Sequence, residues 1–281
     1  MPSVKMTDGV EIYYEELGSG DRYLLCSQVD HSIYSLEREM AKRGFHVILI
    51  TNRGFGRSTH VTEDYGEHWY DCFADDVIGV ANALNIDKFV YSGASHGAGT
   101  GWHLVLKYPE RIICFFAVVP GPHNLDEGRE SIRAMQLAGK ISPPVCRAAT
   151  DDKAILERRR LEDQNVEKRR SMSDYKAVYE SEETKAIDYG RPLCSLKNEK
   201  SLQEALRSIR VPVLIIGGME DTISRPDLML RSAQCLSECK LVIYSGVGHA
   251  LDIWEEAAEE AFRFYNNIRK TGRCYEAVIN D

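Results

Sequence analysis

The sequence predicts an α/β fold: a mostly parallel central sheet, flanked by helices and interrupted once by a helical insertion. Three observations predict it. Short apolar, β-rich stretches recur along the 281 residues. Helical periodicities fill the gaps between them. The alternation lapses between 121 and 205, which leaves 1–120 and 206–281 as one core. A chain of this length can bury roughly 75% of its unfolded surface.

The stretches run in order as VEIYYEEL (10–17), RYLLCS (22–27), FHVILIT (45–51), KFVYSG (88–93), RIICFFAVVP (111–120), VPVLIIGG (211–218) and KLVIYSG (240–246). The first two alternate apolar with polar residues, so they are expected at an antiparallel edge. From the third onward most runs are continuously apolar. Such strands are buried on both faces, as in a parallel sheet.

Two helical faces stand out between them. Phe73, Val77, Ala81 and Leu84 share one, and Ile253, Ala257, Ala261, Tyr265 and Ile268 share another. Strand–helix–strand alternation implies right-handed crossovers with helices on both faces of the sheet.

Residues 121–205 hold no convincing strand. ESIRAMQLAG, DDKAILERRRLEDQNVEKRR and SDYKAVYESEETKAIDYG read as helices, separated by ISPPV and GRPL. The mixed charges of 157–170 read as a solvated face. The tail TGRCYEAVIND is expected to be loosely held.

Composition narrows the class. Apolar residues make up 43% and charged residues 28%, as in ordinary globular proteins. A net charge of −8 argues against nucleic acid and against anionic membranes as partners. VILI and IICFFAVV fall well short of the ~20 residues of a spanning helix. No secretory h-region is visible in MPSVKMTDGVEIYY, so a cytoplasmic setting is expected. The cysteines (26, 72, 114, 146, 194, 235, 239 and 274) form no CxxC pair and read as free, mostly buried thiols. No metal site or cofactor is expected. The expected partner is a small-molecule substrate, with a homodimer left open.

The chemistry concentrates at YSGASHGAGTGW (91–102). Gly93-Ala94-Ser95-His96-Gly97 matches G-x-S-x-G between a strand and a helix, the setting of a nucleophile elbow. Small residues two before and two after the serine permit a strained turn that pushes its hydroxyl out at the C-terminal edge of the sheet. The bland alternative is a serine that caps a helix. Its partners argue against that. A serine needs a base, and the base needs an orienting carboxylate. Asp221 and His249 follow the last two strands, VPVLIIGG and KLVIYSG, in the required order.

On these motifs the chain resembles the α/β-hydrolase superfamily over nearly its whole length. RGFGRST (53–59), YPERI (108–112) and DHSIYSLEREMAKRGFHVI (30–48) strengthen the likeness. The resemblance implies that 121–205 is a cap or lid. It also implies an oxyanion hole made by two backbone N–H groups, one of them from His96. The superfamily usually carries His-Gly after its third strand, with the second donor next. Here Leu25-Cys26 stand at that place, which assigns the donor to Ser27 and sets Gln28 where glycine is common. The Gln28 amide is a candidate substrate contact. Thr51 replaces a usual aspartate.

The expected activity is a serine hydrolase of carboxylic ester hydrolase type, acting on a small ester or lactone. Ser95, His249 and Asp221 form the triad. The same scaffold also serves C–C bond hydrolases of β-diketones, cofactor-free haloperoxidases and small-molecule sensors. An epoxide hydrolase or dehalogenase would place an aspartate where Ser95 stands. Asp126 is a substitute acid. Asp75 and Asp76 read as structural, the side chains of His96, His103 and Trp102 as packing. Tyr34, Tyr175, Tyr179 and Tyr189 are candidates to line the pocket.

Overall fold

The computed structural model describes residues 2–127, 131, 134, 135, 138–140, 146–178, 180, 184, 185 and 187–274. One sheet of eight strands organises them, in the order β1-β2-β4-β3-β5-β6-β7-β8. The strands are β1 (Ser3–Lys5), β2 (Glu11–Leu17), β3 (Tyr23–Gln28), β4 (His46–Thr51), β5 (Phe89–Ala94), β6 (Ile112–Val118), β7 (Val213–Gly218) and β8 (Cys239–Tyr244). β1 and β2 are antiparallel, and every pairing from β4 through β8 is parallel.

The continuous apolar runs explain this arrangement. Phe115 and Phe116 are neighbours on β6, yet each is fully buried in a different core, one on either side of the sheet. Side chains that alternate across a strand need two apolar layers when both parities are apolar. Burying each such side chain contributes about 1.5–3 kcal/mol.

The layers are α2 (Trp69–Ala83) and α3 (His96–Lys107) on one face, and α1 (Leu36–Lys42) with α7 (Trp254–Thr271) on the other. Phe73, Val77 and Ala81 face the first layer, and Ala257, Ala261 and Tyr265 the second, as their spacing predicts. α3 carries the glycines of GAGTG because neighbours leave no room for side chains there. A Cβ at Gly101 would lie 2.2 Å from the Phe115 ring.

Two expectations need correction. β3 is not an edge strand but lies between β4 and β5, with Leu24, Leu25, Cys26 and Ser27 all buried. Segment 173–190 forms no helix among its described residues. Instead Lys176 bridges Gly56, while Ala177, Val178 and Ile187 pack into the core.

Between β6 and β7 stand α4 (Lys153–Arg170) and α5 (Glu199–Ser208), and α6 (Pro226–Cys235) follows β7. In the expected helix 130–139, Ala134 and Met135 are helical and much of the rest lies outside the described residues, as do 141–145 and 275–281. α4 buries none of its residues. Its charges are not all left to solvent. Arg159 pairs with Asp252 at 2.5 Å, and Arg169 Nη2 reaches Asp30 at 3.0 Å. Glu162 accepts hydrogen bonds from Ser32 Oγ at 2.9 Å and Ile33 N at 3.0 Å. These contacts dock α4 on the loop after β3.

Candidate active site

Ser95 stands between β5 and α3 with φ of 49°, a left-handed conformation costly for any residue but glycine. It occupies the N-cap position of α3, yet its side chain makes no capping hydrogen bond. The hydroxyl turns outward instead. The neighbouring glycines make this turn possible. A Cβ at Gly93 would lie 2.3 Å from the Gly97 carbonyl carbon, and one at Gly97 would lie 2.5 Å from the Ser27 carbonyl oxygen.

The partners converge from separate strands. Asp221 lies past β7, where it is 3% exposed. Its Oδ1 accepts the N–H groups of Ile223 and Ser224, both at 2.8 Å. Its Oδ2 meets His249 Nδ1 at 2.9 Å. A carboxylate only accepts, so Nδ1 carries the proton and Nε2 is left as acceptor. Ser95 Oγ lies 2.8 Å from that Nε2. Asp126 is exposed and takes the N–H of Glu199 instead.

A cavity of about 200 Å³ opens beside Ser95 and His249. Gln28, Tyr34, Val119, Leu251 and Trp254 are among its walls. Glu37 also reaches it as a buried carboxylate, which accepts a hydrogen bond from Ser92 Oγ. Glu37, Leu251 and Trp254 were not legible as pocket residues. Glu37 reads as an acidic first-turn residue of α1, and only the tertiary fold turns it inward.

Ser27 is not brought to this cavity. β3 runs one residue further than the sequence predicts, to Gln28, and Ser27 lies inside the ladder opposite Ile50. It is 1% exposed, and its Oγ donates to Asn52 Oδ1. Gln28 does reach the cavity. Its Nε2 donates to the Ala94 carbonyl at 2.7 Å, and its Oε1 accepts the Val29 N–H at 3.1 Å.

The His96 backbone opens α3, where first-turn N–H groups have no intrahelical acceptor. Its ring packs among Phe55, Tyr70, Phe73 and Tyr189, and its two nitrogens are buried without a hydrogen-bond partner among the described residues. Burial lowers its pKa to about 3, so the ring stays neutral.

The remaining candidates are structural. His103 bridges Asp71 and the Leu193 N–H, and Trp102 donates to the Gly121 carbonyl. Asp76 is buried against Arg53, whereas Asp75 pairs with Lys107 at the surface. Tyr34 lines the Ser95 cavity, Tyr175 borders a separate one, and Tyr189 stacks edge-on against His96. Tyr179 lies outside the described residues. All eight cysteines are free thiols, and among the described residues no helix is long and apolar enough to cross a membrane.

Over 294 aligned residues the chain is 25% identical to a bifunctional esterase/perhydrolase of Acinetobacter calcoaceticus, covering 91% of this chain and 95% of that one. It is 29% identical over 112 residues to bifunctional epoxide hydrolase 2 of Sus scrofa, a match that spans only 20% of the pig protein. A thermophilic esterase from Thermogutta terrifontis superposes with a TM-score of 0.64 at 20% identity, over 96% of both chains. The profile of the alpha/beta hydrolase fold matches residues 26–256, and the chain belongs to that family of hydrolases.

Proposed function

We propose that this chain is a cofactor-free serine hydrolase acting on a small carboxylic ester or lactone. The observation that carries the reading is the continuous relay Asp221–His249–Ser95, at 2.9 and 2.8 Å. Ser95 Oγ attacks the carbonyl carbon while its proton passes to His249 Nε2. Asp221 holds the imidazole tautomer and stabilises the imidazolium. The His96 N–H, at the positive end of α3, supports the oxyanion. Collapse of the tetrahedral species expels the alcohol, which takes the proton from Nε2. Water then attacks the acyl-enzyme, with His249 again as base, and frees the acid.

The cavity of about 200 Å³ favours a small substrate, since drug-sized ligands occupy roughly 300 Å³ or more. Residues 121–205 serve as the cap in this reading. The α4 contacts to Asp30, Ser32 and Ile33 support it, because Asp30 and Ser32 belong to the cavity wall.

A Ser95→Ala protein tests the proposal. It should release no nitrophenol burst from short-chain nitrophenyl esters, and fluorophosphonate should label the parent protein at Ser95 alone. Turnover of the variant at the parent rate would refute the assignment.

A further inference from the structure

We infer that Gln28 is a catalytic residue of this site: its side-chain amide, rather than a second backbone N–H, completes the oxyanion hole beside His96. The inference rests on the serine-hydrolase reading and adds a residue to it.

The argument starts from the end of β3. Asn52 N–H donates to the Gln28 carbonyl at 3.0 Å, so that carbonyl faces β4. A trans peptide turns the next N–H the opposite way. The Val29 N–H therefore points toward β5, the strand that carries Ser95. A backbone donor there is placed for the oxyanion, but it is already taken. It donates to Gln28 Oε1 at 3.1 Å.

The same side chain supplies a replacement. Its Nε2 lies 2.7 Å from the carbonyl oxygen of Ala94, the residue before Ser95. It also lies 3.2 Å from where a Gly97 Cβ would stand, so it flanks the first turn of α3. The amide orientation is fixed at both ends, since Val29 requires an acceptor and Ala94 requires a donor. A carboxamide nitrogen carries two hydrogens. One is used on Ala94. The other has no acceptor among the described residues, on a side chain that shares the cavity wall with Ser95. A donor clamped at two points before substrate arrives needs no reorganisation when charge develops, which is what makes such donors effective.

The rival reading is a plug, in which the amide merely fills the hole and must swing away. The two readings predict opposite signs for Gln28→Ala. As a donor, its loss should lower kcat on para-nitrophenyl butyrate by about 10²–10³-fold with little change in KM. Affinity for butaneboronic acid, which forms a tetrahedral adduct on the serine, should fall by a similar factor. Affinity for butyrate, which forms none, should hold. A merely structural role would not split these two ligands. Gln28→Met keeps the length without the amide and should behave alike if the alanine variant folds poorly. Unchanged or faster turnover, or equal losses for boronate and butyrate, would overturn the assignment. Fluorophosphonate labelling of the parent at Ser95 separates the two claims. If Ser95 is labelled and Gln28→Ala is fully active, only the Gln28 assignment falls. If Ser95 is not labelled, the hydrolase reading falls first.

Discussion

Asp221 and His249 meet at 2.9 Å although 28 positions separate them, because β7 and β8 are adjacent and each ends at the same edge of the sheet. The carboxylate is the fixed member, held by two backbone N–H groups. Asp221→Asn should therefore leave the fold intact while presenting the wrong hydrogen-bond partner to Nδ1. By analogy with other triads, turnover should fall by up to about 10⁴-fold. Steady-state esterase kinetics beside an unchanged circular dichroism spectrum would verify this.

The turn at Ser95 depends on the absence of two side chains. At Gly93 the clash is backbone against backbone, with a Cβ 2.3 Å from the Gly97 carbonyl carbon. Gly93→Ala should cost at least about 1–3 kcal/mol, the range for overpacking. It should also displace Ser95 from His249. A lower melting temperature accompanied by lost fluorophosphonate labelling is the expected pair of results.

Arg53 and Asp76 form a buried ion pair at 2.6 Å, with side chains 5% and 2% exposed. Arg53 also holds Asp8 at 2.7 Å, so it is removal of Arg53 that strands a buried charge, on Asp76. Arg53→Met should destabilise by about 3–5 kcal/mol, whereas joint replacement by Arg53→Met and Asp76→Leu should cost markedly less. Urea unfolding of the three proteins provides the comparison.

The buried His96 ring makes stability depend on pH. Its folded pKa of about 3 lies below the unfolded value near 6.5. Above pH ~6.5 neither state holds the proton, and as pH falls the unfolded chain takes it up first. Stability is thus lost on acidification, with a slope approaching ~1.4 kcal/mol per pH unit between about pH 6 and 4. His96→Leu should remove one such contribution. Burial lowers His31 and His123 too, so the parent-minus-variant difference is the quantity to follow by denaturation across pH. An identical slope in both proteins would contradict the burial of this ring.

Much of this candidate site was legible because Ser95, Asp221 and His249 each follow an apolar strand within a few residues, a pattern visible in one dimension. Ser95, Asp221 and His249 all met where that pattern placed them. Ser27 and Gln28 show the limit: the apolar pattern finds β3, but only the fold shows that Ser27 is buried in the ladder while the Gln28 side chain reaches the cavity. β1 escaped notice because Ser3–Lys5 is short and largely exposed. The 173–190 stretch misled because what orders Ala177, Val178 and Ile187 is burial in tertiary contacts, which no local pattern shows. Pocket walls such as Trp254 and Glu37 come from distant helices, and no local pattern announces their meeting.

α4 fully buries none of its residues and meets the Asp30–Ile33 loop through Arg169 and Glu162, with Arg159 on Asp252 beside it. These pairs are only half-buried, and ion pairs still open to solvent weaken as mobile ions crowd around them. In the proposed reading of 121–205 as a cap, α4 is therefore held to the core by charge more than by apolar burial. Brine, not warmth, is the solvent variable that should loosen it first.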